Sequence, residues 1–418
     1  MFTLLLAACQ PSVHLMPTPI VLQSGELKTY ENKQPDKAGN IVSIFYATNR
    51  RPYGSISHRH YGTAMTDTLY LGQVDIRIGK QGASWNILKE LSTGRERDRK
   101  LKLTLEHIKE LAEFSPSQAD GTLTKDLRLF IDAINRSLQN YQSKDITVYV
   151  HGATANFYTS AAQAAQIRHF TGYNHLVLVF SWPTAENFLF YGSDVENALK
   201  SAPSLTRLLK FLALNTQAQH INILAYSAGG QAVSTGLALL ANKMLAPSSG
   251  MAEKHLKLAE IYFAAPDIDL QNFVSYLPAY INRVNSVTIA YNPEDFVLGL
   301  ASFHQGSIRL GRPEAAVLSE KQQRALTLAS NEGKLNVIRI APELLAAHNA
   351  GGHDFWFSHP WVSTDMLIQL LFHASPSERG LQASFDGNFK WWSFPVDYQD
   401  NIVGILNTLV RRADNVQN

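Results

Sequence analysis

Eight short runs of apolar, mostly β-branched residues recur along the chain: Ile41–Arg50, Leu69–Ile78, Ile146–Gly152, Leu176–Pro183, Ile221–Ser227, Ile261–Asp269, Val287–Asp295 and Leu335–Pro342. They are continuous rather than alternating, the pattern of strands buried on both faces of a parallel sheet. Between most of them lie segments of helical length and periodicity: "KDLRLFIDAINRSLQNY", "TSAAQAAQIRHF", "DVENALKSAPSLTRLLKFLALN" and "VSTGLALLANKML". Strands alternating with such helices predict βαβ units in a doubly wound α/β fold, a mostly parallel sheet of about eight strands with helices on both faces. Residues 79–117 have weaker periodicity and mixed charge. They read as part of an N-terminal extension or insertion, about 79–145, with helices of its own.

In an open parallel sheet, function collects at the carboxyl ends of the strands. After "ITVYV" comes His151-Gly152-Ala153-Thr154; after "INILAY" comes Ser227; after "VTIAYNPE" comes Asp295; after the last run come His353 and His359 in "GGHDFWFSHP". Serine, then aspartate, then histidine is the triad order of the α/β hydrolases. The chemistry requires these groups. A serine hydroxyl is a weak nucleophile until an imidazole takes its proton, and a carboxylate fixes the tautomer of that imidazole. Preorganised N–H donors hold the oxyanion. Here the backbone N–H groups of Ala228 and Ala153 are the candidates. The elbow around Ser227 is Ala225-Tyr226-Ser227-Ala228-Gly229, so alanine replaces the first glycine of G-x-S-x-G. Asp267, Asp269 and Glu294 stay open as alternative acids, and His359 as an alternative base.

The segments "FYATNR", "VYVHGATANFYTSAAQAAQI", "VFSWPTAENFLFYGSDVENA", "LAYSAGG", "FAAPDID", "YNPEDFVL" and "HDFWFSHPWVSTDM" carry a resemblance. The chain is similar to the bacterial α/β-hydrolase family catalogued as domain of unknown function nine hundred, over roughly residues 41 to 375. The resemblance implies the α/β-hydrolase fold, with Ser227 as nucleophile, Asp295 as acid and His353 as base. Tyr226 stands where the family usually has histidine. The implied reaction is cleavage of an ester through an acyl-enzyme, with no metal or cofactor and with a small-molecule or lipid ester as substrate. A serine peptidase or acyltransferase on the same triad, and a catalytically silent lipoprotein, are the alternative readings.

The net charge of +2 over 418 residues argues against nucleic acid as a partner. The lone cysteine, Cys9, excludes an intrachain disulfide. It ends "MFTLLLAAC", and Leu6-Ala7-Ala8-Cys9 resembles the lipobox of bacterial lipoproteins. On that reading residues 1–9 are a signal segment with a lipidated cysteine and residues 10–40 a flexible tether. Residues 41–418 form the hydrolase domain, anchored by lipid to a membrane of the bacterial cell envelope. His151 reads as a structural residue of the oxyanion loop, His58 and His60 as an exposed loop rather than a metal pair, and Trp391 and Trp392 as core packing. "ATNR", Ala47–Arg50, is either a hydrogen-bond cluster or a substrate contact.

Overall fold

All eight apolar runs form strands of one sheet. The computed structural model describes residues 12–23, 30, 39–94, 100–118, 123–245, 256–305, 307–312, 318–341 and 352–417. In chain order the strands are β1 (Ile41–Tyr53), β2 (His60–Ile78), β3 (Leu103–Phe114), β4 (Ile146–Val150), β5 (Leu176–Ser181), β6 (Ile221–Tyr226), β7 (Leu258–Ala264), β8 (Ser286–Tyr291), β9 (Leu335–Arg339), β10 (Gln382–Asp386) and β11 (Phe389–Ser393). They pair in the order β10-β11-β9-β8-β7-β6-β4-β5-β1-β2-β3. Pairing is parallel from β11 to β1 and antiparallel at the two edges.

The sheet therefore has three more strands than the pattern predicts. One is β3, inside the segment expected to be helical. Residues 79–117 also contain a helix, α2 (Trp85–Thr93), but their longest element is the edge strand. The other two form the hairpin at the opposite edge. Trp392 joins the core there as expected, whereas Trp391 is half-buried outside it, under the Arg339 guanidinium.

Successive residues of the central strands face opposite cores, which is why both faces are apolar. Val148, Val150, Ile223 and Ala225 join one cluster, with side chains of α3 (Lys125–Asn140), α5 (Tyr191–Asn215), α6 (Gly229–Leu245) and α7 (Leu270–Tyr280). Tyr149, Leu224 and Tyr262 join the other. Their partners come from α4 (Phe157–Phe170), from the short α10 (Phe355–Ser358) with α11 (Pro360–Phe372), and from α12 (Tyr398–Gln417). Helix starts follow sequence signals. Thr124 caps α3 by accepting from the Leu127 N–H, and Asn156 caps α4 by accepting from the Thr159 N–H at 2.7 Å. The stripe Leu127, Phe130, Ile131, Ile134 and Leu138 buries one face of α3. Between these helices come α8 (Phe296–Gln305) and α9 (Glu320–Asn331).

Part of the expected tether is packed. Val13 and Leu15 exchange backbone hydrogen bonds with Leu103 and Leu101 at 2.8 Å. The short α1 (Ile20–Gln23) buries Ile20, Val21 and Leu22. The apolar residues of this stretch, Leu15 and Met16 among them, outweigh its polar composition. Cys9 and the proposed signal lie outside the described residues. Among those that are described, no helix is long and apolar enough to cross a membrane.

The direction of winding reverses at β4, with β5 on one side of it and β6 on the other. The crevice outside the carboxyl ends of β4 and β6 is where a doubly wound sheet places its site.

Candidate active site

The turn from β6 into α6 holds Ser227 at φ +51°, a left-handed conformation that costs a non-glycine residue about 1–2 kcal/mol. Neighbours fix it. The Ser227 N–H donates to the Ala264 carbonyl at 3.1 Å, and its own carbonyl accepts from the N–H groups of Gly230 and Asp267 at 3.0 and 3.1 Å. Gly229 has no room for a side chain. A Cβ there would lie 2.4 Å from the His151 carbonyl oxygen and 2.7 Å from that of Val150.

Two side chains from other loops converge on this turn. His353 lies just before α10, and its Nε2 is 2.8 Å from Ser227 Oγ. Its Nδ1 is 2.7 Å from Asp295 Oδ2. Asp295 is wholly buried past β8, and its other oxygen accepts the Leu298 N–H at 3.0 Å. Since a carboxylate only accepts, Nδ1 carries the proton and Nε2 is free to accept from the serine. Asn292 Nδ2 donates to the Gly352 carbonyl at 3.2 Å, which ties the Asp295 loop to the His353 loop. The ring of Tyr226 stands 5.4 Å from that of His353, and Trp356 and Phe357 extend the aromatic wall at 6.0 and 5.8 Å from Tyr226.

The competing residues are engaged elsewhere. Asp267 takes the Tyr191 hydroxyl and pairs with Arg309 at 3.2 Å. Asp269 caps α7, Glu294 is exposed, and His359 caps α11 by accepting the Trp361 N–H at 3.2 Å. His58 and His60 are exposed beside the β1–β2 turn.

Ala228 directly follows Ser227, and the His151–Ala155 loop runs alongside. A Cβ on Gly152 would come within 2.9 Å of Ser227 Cβ. His151 is wholly buried and stacked on Trp182 at 4.9 Å. Its Nε2 accepts the Trp182 N–H at 3.1 Å, which leaves Nδ1 to donate to the Gly152 carbonyl at 2.8 Å. Burial, with Arg50 nearby, pushes the imidazole down to about 3, so it is neutral.

Arg50 and Asp194 fix the rest of this loop. The buried guanidinium donates to the Ala155 carbonyl at 2.6 Å, Ser181 Oγ at 3.1 Å and the Gly62 carbonyl at 3.2 Å. Burial pushes Arg50 down to about 10, against the pull of Glu186 and Asp194, and it stays charged at neutral pH. Asp194 accepts the Thr154 N–H at 2.8 Å and the Ala185 N–H at 2.6 Å. "ATNR" thus belongs to a hydrogen-bond cluster. The polar residues that close the apolar run signalled it, although β1 continues past them to Tyr53, and only the fold identifies what they hold.

A protein-family profile described as alpha/beta hydrolase of unknown function matches residues 130–360. No curated protein matches the chain. Two crystal structures of inhibited esterase B from Lactobacillus rhamnosis align at a TM-score of 0.30. One carries a C6-C4 SN3 inhibitor, at 9% identity over 66% of this chain and 80% of that one. The other carries a C4-C4 SN3 tributyrin phosphonate, at 10% identity over 66% and 79%. A likeness of that size carries no argument about the site.

Proposed function

From the premise that the chain belongs to the alpha/beta hydrolases of unknown function (DUF900), we propose that it is a serine hydrolase cleaving an ester through an acyl-enzyme on Ser227, His353 and Asp295. The observation that carries this is the continuous relay, 2.8 Å from Ser227 Oγ to His353 Nε2 and 2.7 Å from His353 Nδ1 to Asp295. Ser227 Oγ attacks the carbonyl carbon while His353 Nε2 takes its proton. The N–H groups of Ala228 and Ala153 hold the oxyanion. His353 then gives the proton to the leaving alkoxide, and water attacking the acyl-enzyme repeats the sequence. The aromatic wall of Tyr226, Trp356 and Phe357 favours an apolar acyl or alcohol group. Phe188, Leu189 and Phe190, exposed past the carboxyl end of β5, favour the same class.

The test is fluorophosphonate labelling with hydrolysis of an activated ester. Ser227→Ala loses both and keeps the wild-type melting temperature; a folded variant that still labels overturns the proposal. Parallel assays on amides and with alcohol acceptors separate esterase from peptidase and acyltransferase. From the sequence alone we also propose lipid attachment at Cys9 in a bacterial envelope membrane. Radiolabelled fatty acid should enter the wild type and not Cys9→Ala.

A further inference from the structure

We propose that Asp145, His220 and His373, at the amino ends of β4 and β6, form a site for a divalent cation of the zinc type, with Glu260 as its outer carboxylate. This is the end of the strands opposite Ser227. Adjacency follows from the fold. Asp145 directly precedes β4 and His220 directly precedes β6, and these strands pair in parallel with Ile146 beside Ile221. His373 closes the C-terminus of α11.

One ligand atom from each of the three residues falls within 4.8 Å of the other two. Asp145 offers one oxygen to each histidine, Oδ1 to His220 Nδ1 at 3.0 Å and Oδ2 to His373 Nε2 at 2.8 Å. Zinc takes nitrogen and oxygen ligands at about 2.0–2.2 Å in tetrahedral array, which sets neighbouring ligand atoms roughly 3.3–3.5 Å apart. The two Asp145–histidine pairs, at 3.0 and 2.8 Å, open by roughly 0.3–0.7 Å to admit the ion.

The surroundings match a metal centre in a second respect. A metal-bound histidine generally donates its other ring N–H to a carboxylate, which fixes the tautomer. His373 Nδ1 faces Glu260 Oε1 at 3.3 Å. Glu260 is itself held by Ser286 Oγ at 2.6 Å and Gln369 Nε2 at 2.9 Å. A doubly charged cation balances the two carboxylates. The remaining histidine nearby, His175, has both ring nitrogens on hydroxyls of Thr147 and Ser143, so it adds no ligand. The His220 side chain is 44% exposed, which leaves solvent access for a fourth ligand. Two imidazoles and one carboxylate suit zinc better than calcium or magnesium. Bound there, the ion clamps the amino ends of two central strands to the end of the segment that begins at His353.

The experiment strips the full chain with a chelator, then titrates it with zinc chloride against a chromophoric chelator near neutral pH. The wild type takes up one equivalent, and its melting temperature rises by a few degrees. His220→Gln and His373→Gln each weaken zinc binding at least tenfold, and Glu260→Gln weakens it about tenfold, the usual scale for an outer-shell partner. Replacing the exposed His58 and His60 with alanine changes nothing. Circular dichroism of the metal-free forms checks folding, and the half-exposed His220 keeps the test valid if His373→Gln misfolds. No stoichiometric uptake by the wild type, or wild-type affinity in His220→Gln, overturns the proposal.

Discussion

Replacing Asp295 by asparagine keeps the shape of the side chain and changes what it can accept. In the native site one carboxylate oxygen takes the His353 Nδ1–H and the other takes the Leu298 N–H. Asparagine has a single oxygen for these two donors. If that oxygen stays on Leu298, the amide nitrogen faces His353 and donates to Nδ1. The imidazole then carries its proton on Nε2 and cannot accept from Ser227. If the amide is flipped, the tautomer is right but a buried N–H is orphaned against an NH2 group, at a cost of about 1–3 kcal/mol. The productive form is thereby reduced roughly 5- to 150-fold. Even then the developing imidazolium has lost a charged acceptor, worth about 1.5–3 kcal/mol, a further factor of roughly 10 to 150. The product is about 10² to 10⁴, its upper end close to the ~10⁴ loss for the same change in a serine protease triad. The assay is kcat on p-nitrophenyl butyrate for Asp295→Asn, Asp267→Asn and Glu294→Gln, with a melting curve for each. An Asp295→Asn enzyme within tenfold of wild type beside a crippled Asp267→Asn would refute the reasoning.

Gly229→Ala should cost about 2–4 kcal/mol, because its Cβ would meet two backbone carbonyls at 2.4 and 2.7 Å rather than a flexible side chain; a urea midpoint indistinguishable from wild type would mean that α6 can retreat. Asp194→Asn should lower kcat about 10- to 100-fold with KM little changed, since one amide oxygen cannot serve both the Thr154 and Ala185 N–H groups; a change in KM alone would contradict a role in holding the oxyanion loop. Metal-free protein should lose stability as pH rises from 6.5 to 9. Burial opposes the His373 charge, but hydrogen bonds to Asp145 and Glu260 outweigh it and push the imidazole up from 6.5 to about 9. A raised folded value contributes fully below the unfolded one and vanishes as pH climbs through the folded one, with a ceiling of about 3 kcal/mol. His373→Gln should flatten that slope in urea titrations, and an unaltered slope would exclude His373 as its source.

How much of this was legible in the sequence depended on whether the signal was local. The strands buried on both faces announced themselves as apolar runs, and the loop after each could be inspected for chemistry. Strand β3 could not be read that way. It is half solvated, and its pairing with β2 slips at Leu71/Gly72 and again at Asp75/Ile76. Its buried residues Leu103, Ile108, Ala112 and Phe114 therefore fall at irregular spacing instead of every second position. The residue pattern by itself left the acid open, because Asp267 also follows a strand, and only the family resemblance singled out Asp295. What separates it from Asp295 is side-chain direction. The Asp267 backbone N–H reaches Ser227, while its carboxylate turns away to Tyr191 and Arg309. Arg50 was the least legible. Its partners Gly62, Ala155 and Ser181 come from three separate segments, which only the assembled sheet brings together.

The altered elbow is explained at the same level. Ala225 sits within β6 with its backbone in regular register between Val150 and Phe263, and its methyl group joins the core beneath α5 and α6. A small side chain there adds contacts. Gly229 lies on the other side of Ser227, where the chain passes under the β4–α4 loop, and there a methyl group has no space. The two glycines of the G-x-S-x-G pattern therefore answer to different physics in this chain. The first is a preference for smallness that alanine satisfies, and the second is a steric requirement. Position 225 should accept glycine with a loss of about 1–2 kcal/mol, from chain entropy and one buried methyl, while position 229 should reject every substitution. A Gly229→Ala variant as stable and active as the Ala225→Gly variant would remove the distinction.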